Sequence, residues 1–396
     1  MSFSIATSGL NAITEQLNSI SNNIANSGTV GFKSGRAEFA SLYAGTQVLG
    51  VGITAVTESI TKGGDISASA NGLDLAINGN GFFVVRGGDG TTAYTRAGYF
   101  GTDASGNLIN NLGMYMQGYP VDAGGKLQVG SVGNLTISSG SIPAKATDSI
   151  DFTANLDADA KVPATTPFNP KDITSFNDTY TTKVYDSLGR EHTVNQYFAK
   201  TGTNIWEVHY YMDDIAIPGS SQAIEFTQQG VLKSPIGITT LNAPMPGAQQ
   251  ISIDLSYTGT TQYGTDFSVS KNKSSGYASG ERTGQAIDED GSVYATFSNG
   301  ERLLQGQLIL ANFANPNGLA SQNGTTWSQT ANSGAPLTGA PGSGLLGTIK
   351  AGALEQSNVD LTSQLVGLMS AQRNYQANTK VISTNDSMMN ALFQAV

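Results

Sequence analysis

The sequence contains no cysteine, which excludes disulfides and thiolate metal sites. Charge is scarce as well. Only 13% of the residues are Asp, Glu, Lys or Arg, against roughly 25% in ordinary globular chains. The 30 acids outnumber the 20 bases and leave a formal net charge of −10, with no basic stripe to meet nucleic-acid phosphates or an anionic membrane surface. No run approaches the ~18 apolar residues of a membrane span. The opening, MSFSIATSGLNAITEQLN, has neither the basic n-region nor the apolar h-region of a cleaved secretory signal; export, if it occurs, is expected to use another route. Glycine is what the chain has in excess, with 48 in 396 residues where ~7% is usual. Such a composition means many turns and few charged helices, in a length that accommodates two or three domains.

Apolar periodicity marks both ends. Leu361, Leu368, Tyr375, Ile382, Met389 and Val396 recur at every seventh position, which keeps one seam on one face of a long helix. Phe3, Ala6, Leu10, Ile13, Leu17, Ile20 and Ile24 alternate spacings of three and four, the a/d rhythm of a coiled coil. The first segment also carries Thr7, Ser8, Gly9, Asn11, Asn18, Ser19, Asn22 and Asn23, which are mediocre to poor helix formers. Ordering about 22 residues costs on the order of 1–2 kcal/mol each, and burying seven seam side chains returns roughly 1.5–3 kcal/mol apiece, so the segment needs a partner. Two readings follow: several molecules bundle their ends, or the ends close one molecule as a helical hairpin. The expected self-assembly core comprises Phe3, Leu10, Ile13, Leu17, Ile20 and Ile24 with Leu361, Leu365, Leu368, Tyr375, Ile382, Met389 and Phe393.

Everything between the ends reads as β-structure. Glycines at 28 and 31 stop the first helix, and an extended, modestly packed connector is expected to about residue 70. Leu73, Leu75 and Ile77 alternate, Asn78-Gly79-Asn80-Gly81 supplies turn chemistry, and Phe82-Phe83-Val84-Val85 begins a return strand, which together predict a hairpin. Thr182 to Val184 and Val194 to Gln196 flank the turn Asp186-Ser187-Leu188-Gly189, and Trp206, Val208 and Tyr210 share one face of another strand. Ser357-Asn358-Val359-Asp360 has side chains able to cap the last helix. The expected architecture is mainly β with α-helical termini. Residues 1–29 and 355–396 form a coiled-coil-like helical core, 30–70 and 340–354 the connector, 71–144 and 278–339 an inner β-rich domain, and 145–277 an outer β-rich domain inserted in it.

Catalytic chemistry finds little support. His192 and His209 lie on neighbouring predicted strands with Glu191 and Glu207 nearby, a pattern that suits half-exposed strand residues better than a metal site. Asp288-Glu289-Asp290-Gly291 lacks the further ligands of a calcium loop and reads as a hairpin turn. Gly87-Gly88-Asp89-Gly90 lacks the Lys-Ser/Thr pair of a phosphate loop. No nucleophile elbow is evident, so no enzyme activity and no cofactor are expected.

Three separated stretches carry a resemblance. Ser8-Gly9-Leu10-Asn11-Ala12 followed by residues 22–33, with Gly31-Phe32-Lys33 at their end, is one; residues 73–83 are the second. The third is Glu355-Gln356-Ser357-Asn358-Val359-Asp360-Leu361 with residues 371–378. In this order they closely resemble the axial proteins of the bacterial flagellum. The length and the roughly 130 residues between Ala144 and Tyr277 resemble the hook branch. Val30, where rod proteins often have Asn, suits a hook, while Ile60-Thr61-Lys62-Gly63-Gly64 departs from the usual aromatic-and-Gln version. The resemblance implies a structural subunit that self-assembles into a short curved tube, the universal joint between motor and filament. It implies terminal helices around an inner channel and β-domains outside. It also implies export as an unfolded chain through the flagellar type III apparatus to an extracellular position, with the distal rod, hook-cap and hook-filament junction proteins as partners beside copies of the chain itself. Another axial protein, such as a distal rod subunit, remains an alternative, as does a secreted β-rich carbohydrate-binding or adhesin protein whose ends form a stalk.

Overall fold

The computed structural model describes residues 2–44, 47–122 and 124–394. The chain is mainly β with a helix at each end, α1 (Ser2–Ala25) and α2 (Leu361–Gln394). It divides into two compact units. The first comprises Met1–Ser139, Gly284–Thr296 and Arg302–Val396, and the second Gly140–Thr283 with Phe297–Glu301.

In the first unit α1 ends where Asn26 N–H bonds the Asn22 carbonyl and the chain turns through Gly31 at φ +74°. A Cβ there would lie 2.5 Å from the backbone nitrogen of Ala97, so only glycine fits both the conformation and the contact. The stretch expected to be an extended, modestly packed connector contains an antiparallel ribbon with two irregularities, at Glu38/Phe39 and Leu42/Tyr43. Gly35–Ala44 pairs with Gln47–Glu58 from Gly35↔Glu58 to Ala44↔Gln47. Its β-branched and aromatic residues favour strand, and the glycines that suggested loop allow close approach. Gly50, at φ +117°, lies so near α1 that a Cβ would strike the Ser8 hydroxyl, which accepts a bond from Val51 N–H. The far end of the ribbon is tied by Glu58, which accepts from the Trp327 indole at 2.8 Å.

Strands form at Leu75–Asn78 and Phe82–Arg86, but they do not pair as the expected hairpin. The first pairs with Thr348–Ala351, the second with Thr92–Thr95 and Tyr115–Pro120. The turn groups are taken elsewhere: Gly79 carbonyl accepts from Arg96, and Asn80 carbonyl from Gly347 N–H. Both strands are buried on both faces, so each needs neighbours the other cannot supply. The main sheet of this unit runs Arg302–Leu308, Tyr115–Pro120, Phe82–Arg86, Thr92–Thr95, Thr326–Ser328, Ala320–Gln322. Phe82 meets Phe313 and Trp327 edge-on at 6.1 and 5.6 Å, at the centre of its core.

The second unit packs two five-stranded sheets on one core. One contains Ser149–Asp157, Ile238–Ala243, Ile251–Ser256, Thr261–Tyr263 and Ser268–Ser274; the other runs Asp178–Tyr185, Glu191–Gly202, Ile205–Met212, Ile215–Phe226, Leu232–Ser234. The alternation of Trp206, Val208 and Tyr210 places all three inside, against Phe152, Leu255 and Tyr257. Polar atoms in this core are paired: Trp206 donates to Gln262, and Tyr257 donates to Gln196 while sharing a 2.9 Å bond with Tyr210. Burial raises both tyrosine pKa values, that of Tyr210 against the lowering effect of its bond with Tyr257, so neither ionises in the physiological range.

One loop recurs three times. Asp103, Asp122 and Asp186 each accept through Oδ1 from the backbone N–H groups two and four residues on. Gly106, Gly125 and Gly189 then take positive φ, as three-residue hairpin connections require. Burial works against the Asp186 carboxylate, yet the Arg190 backbone and guanidinium, Leu188 N–H and His192 hold its pKa down at about 2. A depressed acid stabilises above its unfolded pKa and loses that contribution as pH falls through its folded one. The thermal midpoint of the second unit should therefore drop between about pH 4 and pH 2. Asp186→Asn should be less stable at pH 6 and show a flatter decline over that window; an unchanged decline would contradict this role.

Candidate self-assembly core

The two terminal helices pair within one chain, antiparallel. Asn23 near the end of α1 donates to Gln364 at the start of α2 at 3.1 Å. Ile20 stands against Gly367, and Gly9 against Asn378. Ile13, Ile20 and Ala371 are buried, with Leu17, Ile24 and Leu368 packed on them. Leu10 is half-buried and Phe3 exposed. The α1 seam thus turns largely toward α2.

The seam on α2 is divided. Leu368 and Ile382 are half-buried, whereas Leu361, Leu365, Tyr375 and Met389 are exposed; the side chain of Phe393 lies outside the described residues, as does Val396. Gln364, Gly367, Ala371 and Asn378, small or polar, are the residues α2 turns to α1. One 24-residue helix cannot cover the apolar stripe of a 34-residue partner. Leu361, Leu365, Val366, Met369 and Tyr375 lie alongside α1 but turned away from it, and with Val381, Met388 and Met389 toward the far end of α2 they remain uncovered in the single chain. Patches of that extent mark interaction surfaces.

A buried ionic cluster holds the roots of the two helices to the β-structure. Lys33 Nζ donates to Glu355 Oε1 at 2.5 Å and to the Lys62 carbonyl at 2.9 Å. Arg96 donates to Glu355 Oε2 at 3.0 Å and lies over the Phe82 ring. Gly64 N–H adds a third bond to the carboxylate, and Gly31 N–H bonds the Glu355 carbonyl. Burial pushes the Glu355 carboxyl up, but Arg96 and Lys33 beside it hold it below the usual range. Burial likewise lowers the Lys33 pKa against the pull of Glu355. Asn358 completes the joint, accepting from Ser34 N–H and donating to the Ser59 and Lys62 carbonyls. Asn23, itself buried, exchanges two 2.8 Å bonds with Gly35. Asp360 then caps α2 through Thr362 and Ser363 N–H, in the stretch expected to supply a cap. Reading the sequence for function missed Lys33, Arg96, Glu355, Asn358 and Asn23. The available signal was that four of them fall inside the motifs bearing the family resemblance.

The other residues considered for chemistry are occupied structurally. His192 lies between Asp213 (2.5 Å) and Asp186 (3.4 Å). His209 stacks on Phe168 at 4.0 Å, and burial lowers its pKa. Asp288-Glu289-Asp290-Gly291 is a tight turn with Gly291 at φ +79°. Among the described residues no group of three His, Asp or Glu is placed to hold a metal, and no helix is long and apolar enough to cross a membrane.

Helical ends that pair yet leave apolar side chains uncovered, with β-units strung between them, suit a structural subunit that assembles with copies of itself, and sequence comparison specifies which. Four stretches match flagellar families: the flagella basal body rod protein at residues 3–33, the flagellar hook protein FlgE/F/G D1 domain at 76–158, the flagellar basal body protein FlaE D2 domain at 155–277 and the flagellar basal body rod FlgEFG protein C-terminal region at 350–395. The chain is 40% identical to the flagellar hook protein FlgE of Salmonella typhimurium over 99% of both chains. It is 38% identical to that of Escherichia coli, also over 99% of both, and 34% identical to that of Brucella suis over 97% and 96%. The crystal structure of Helicobacter pylori flagellar hook protein FlgE2 shares the fold at TM-score 0.55 and 14% identity, over 73% of this chain and all of that one. The chain belongs to the flagellar hook protein FlgE family. It is a structural subunit of the bacterial flagellar hook, a flagellar component outside the cell that polymerises from copies of itself, and not an enzyme.

Proposed function

We propose that the terminal helices are the permanent core of the hook tube. The single observation carrying this is the uncovered apolar stripe of α2, which neighbouring copies would bury. On this reading Phe3, Leu10, Ile13, Leu17, Ile20, Ile24, Leu361, Leu365, Leu368, Tyr375, Ile382, Met389 and Phe393 form one continuous seam, part filled within a chain and part between chains. A head-to-tail contact that does not close generates a helical polymer. The β-units outside then move past one another as the joint turns, while the core stays joined. The domain plan follows the same logic, with residues 145–277 outermost and the ionic joint at Glu355 passing force from the β-structure to the helices. The distal rod protein would meet one end of the tube, and the hook-cap and junction proteins the other. Export would be through the flagellar type III apparatus, without a cleaved signal, by a chain that has no disulfides to undo.

The hairpin has little buried core of its own. The buried hydrophobic residues of the two helices, Ala6, Ala12, Ile13, Ile20 and Ala371, are mostly alanines and do not match the ordering cost of two helices, roughly 1–2 kcal/mol per residue. Limited proteolysis in dilute solution should therefore remove the helical ends and leave the β-units, and the same sites should be protected in polymers. Ends equally resistant in both states would favour a self-contained hairpin and overturn this reading.

A further inference from the structure

The second unit carries an apolar knob at one end and an apolar groove at the other. Ile236 is 94% exposed in the turn between Leu232–Ser234 and Ile238–Ala243. The groove, about 590 Å³, is lined by Ile215, Ile217, Pro244, Met245 and Pro246, with Arg190 and His192 also on its wall. Ile215 stands 71% exposed at its edge.

Topology fixes their separation. Strand Ile215–Phe226 starts at the groove and ends where Glu225↔Ser234 and Phe226↔Leu232 pair, beside Ile236. Strand Ile238–Ala243 runs from the knob back to Ala243 on the groove wall. The 6 residues of that second strand, at ~3.3 Å each, place knob and groove roughly 20 Å apart, too far for Ile236 to reach the groove of its own chain. An isoleucine in water contributes nothing to the core of the unit, whereas the floor of the groove is the edge of that core, where Ile217 and Met245 are buried and the methionine between two prolines gives an adaptable receiving surface.

We infer that Ile236 of one copy seats in the Ile215–Met245 groove of the next. The occupant is a second copy because complementary apolar features at opposite ends of one unit define a heterologous, repeating contact. Lys233 beside the knob is paired with Glu225 and Asp213 at the groove with His192, so the contact between copies is apolar. One side chain in a shallow groove is a weak contact, easily broken and remade, as a contact on the outside of a bending tube must be. The inference rests on the reading that the chain polymerises.

The absence of cysteine makes the test clean. A chain carrying both Ile236→Cys and Ile215→Cys is assembled into tubes, then oxidised or treated with a short bismaleimide. A ladder of linked chains reaching beyond dimers is expected, and Ile236→Cys alone should yield none. If the double variant does not polymerise, each single variant is co-assembled with the other in an excess of unmodified chain; linked pairs containing one of each are then expected. Normal tubes that remain monomeric after treatment would overturn the knob-and-groove contact, and a product confined to dimers would replace it with a symmetric one. Failure of the unmodified chain to form tubes at all would instead count against the polymer reading itself.

Discussion

Glu355→Gln is expected to destabilise the first unit by about 3–5 kcal/mol and to leave the second unit unchanged. Among the described residues the Glu355 carboxylate is the one anion paired with the two buried cations, Lys33 and Arg96, and removing one partner of a buried ionic group leaves uncompensated charge in a low-dielectric site. Glutamine retains the shape and can still accept from Gly64 N–H, so the loss isolates charge. Denaturant unfolding followed at Trp327 in the first unit and Trp206 in the second separates the two transitions once each tryptophan is studied alone. An unshifted first transition would show that the cluster is not what fastens the helices to the β-structure. Wild-type stability should also fall in acid. Glu355 has a depressed pKa, so its contribution is present above the ordinary glutamate value of about 4.3 and is lost as pH drops through the lower folded one.

Leu17→Asp and Leu368→Asp should each abolish polymerisation while both β-units remain folded. Leu17 and Leu368 pack on Ile13, Ile20 and Ala371, and a carboxylate there must either be desolvated or force the helices apart. The hairpin is marginal alone, so separation is the cheaper outcome. The circular dichroism of the β-structure and the unfolding transition of the second unit should be preserved. Normal tubes from either variant would show that the α1–α2 contact is dispensable for assembly.

The parts legible in the sequence were those with a period. The three-and-four spacing of α1 and the alternation of Trp206, Val208 and Tyr210 each reflect one face turned to one neighbour, which the chain writes locally. The pairing of Leu75–Asn78 with Thr348–Ala351 was not legible, because strands buried on both faces lose their alternation and the partner lies some 270 residues away. The ribbon Gly35–Glu58 was hidden by glycines that signal looseness in isolation but provide clearance against Ser8 in place. Lys33 and Glu355, 322 positions apart, have no pattern that links them; only folding brings them together. On α2 the sevenfold repeat is real, but a single helix cannot use all of it. Small and polar residues such as Gln364 and Ala371 make the contact within the chain, and bulkier ones are left facing outward.

That outward stripe offers the most direct measurement. Leu365→Asp and Val366→Asp alter residues that are about half exposed in the single chain, at 50% and 55%, so the isolated subunit should change in stability by no more than about 0.5 kcal/mol. Electron microscopy and sedimentation of each variant under conditions where the unmodified chain forms tubes decide the matter. Folded subunits that no longer form tubes are the expected result. Tubes of normal length and yield from both variants would mean that neighbouring copies do not cover the stripe, and the terminal helices would then not be the core of the hook.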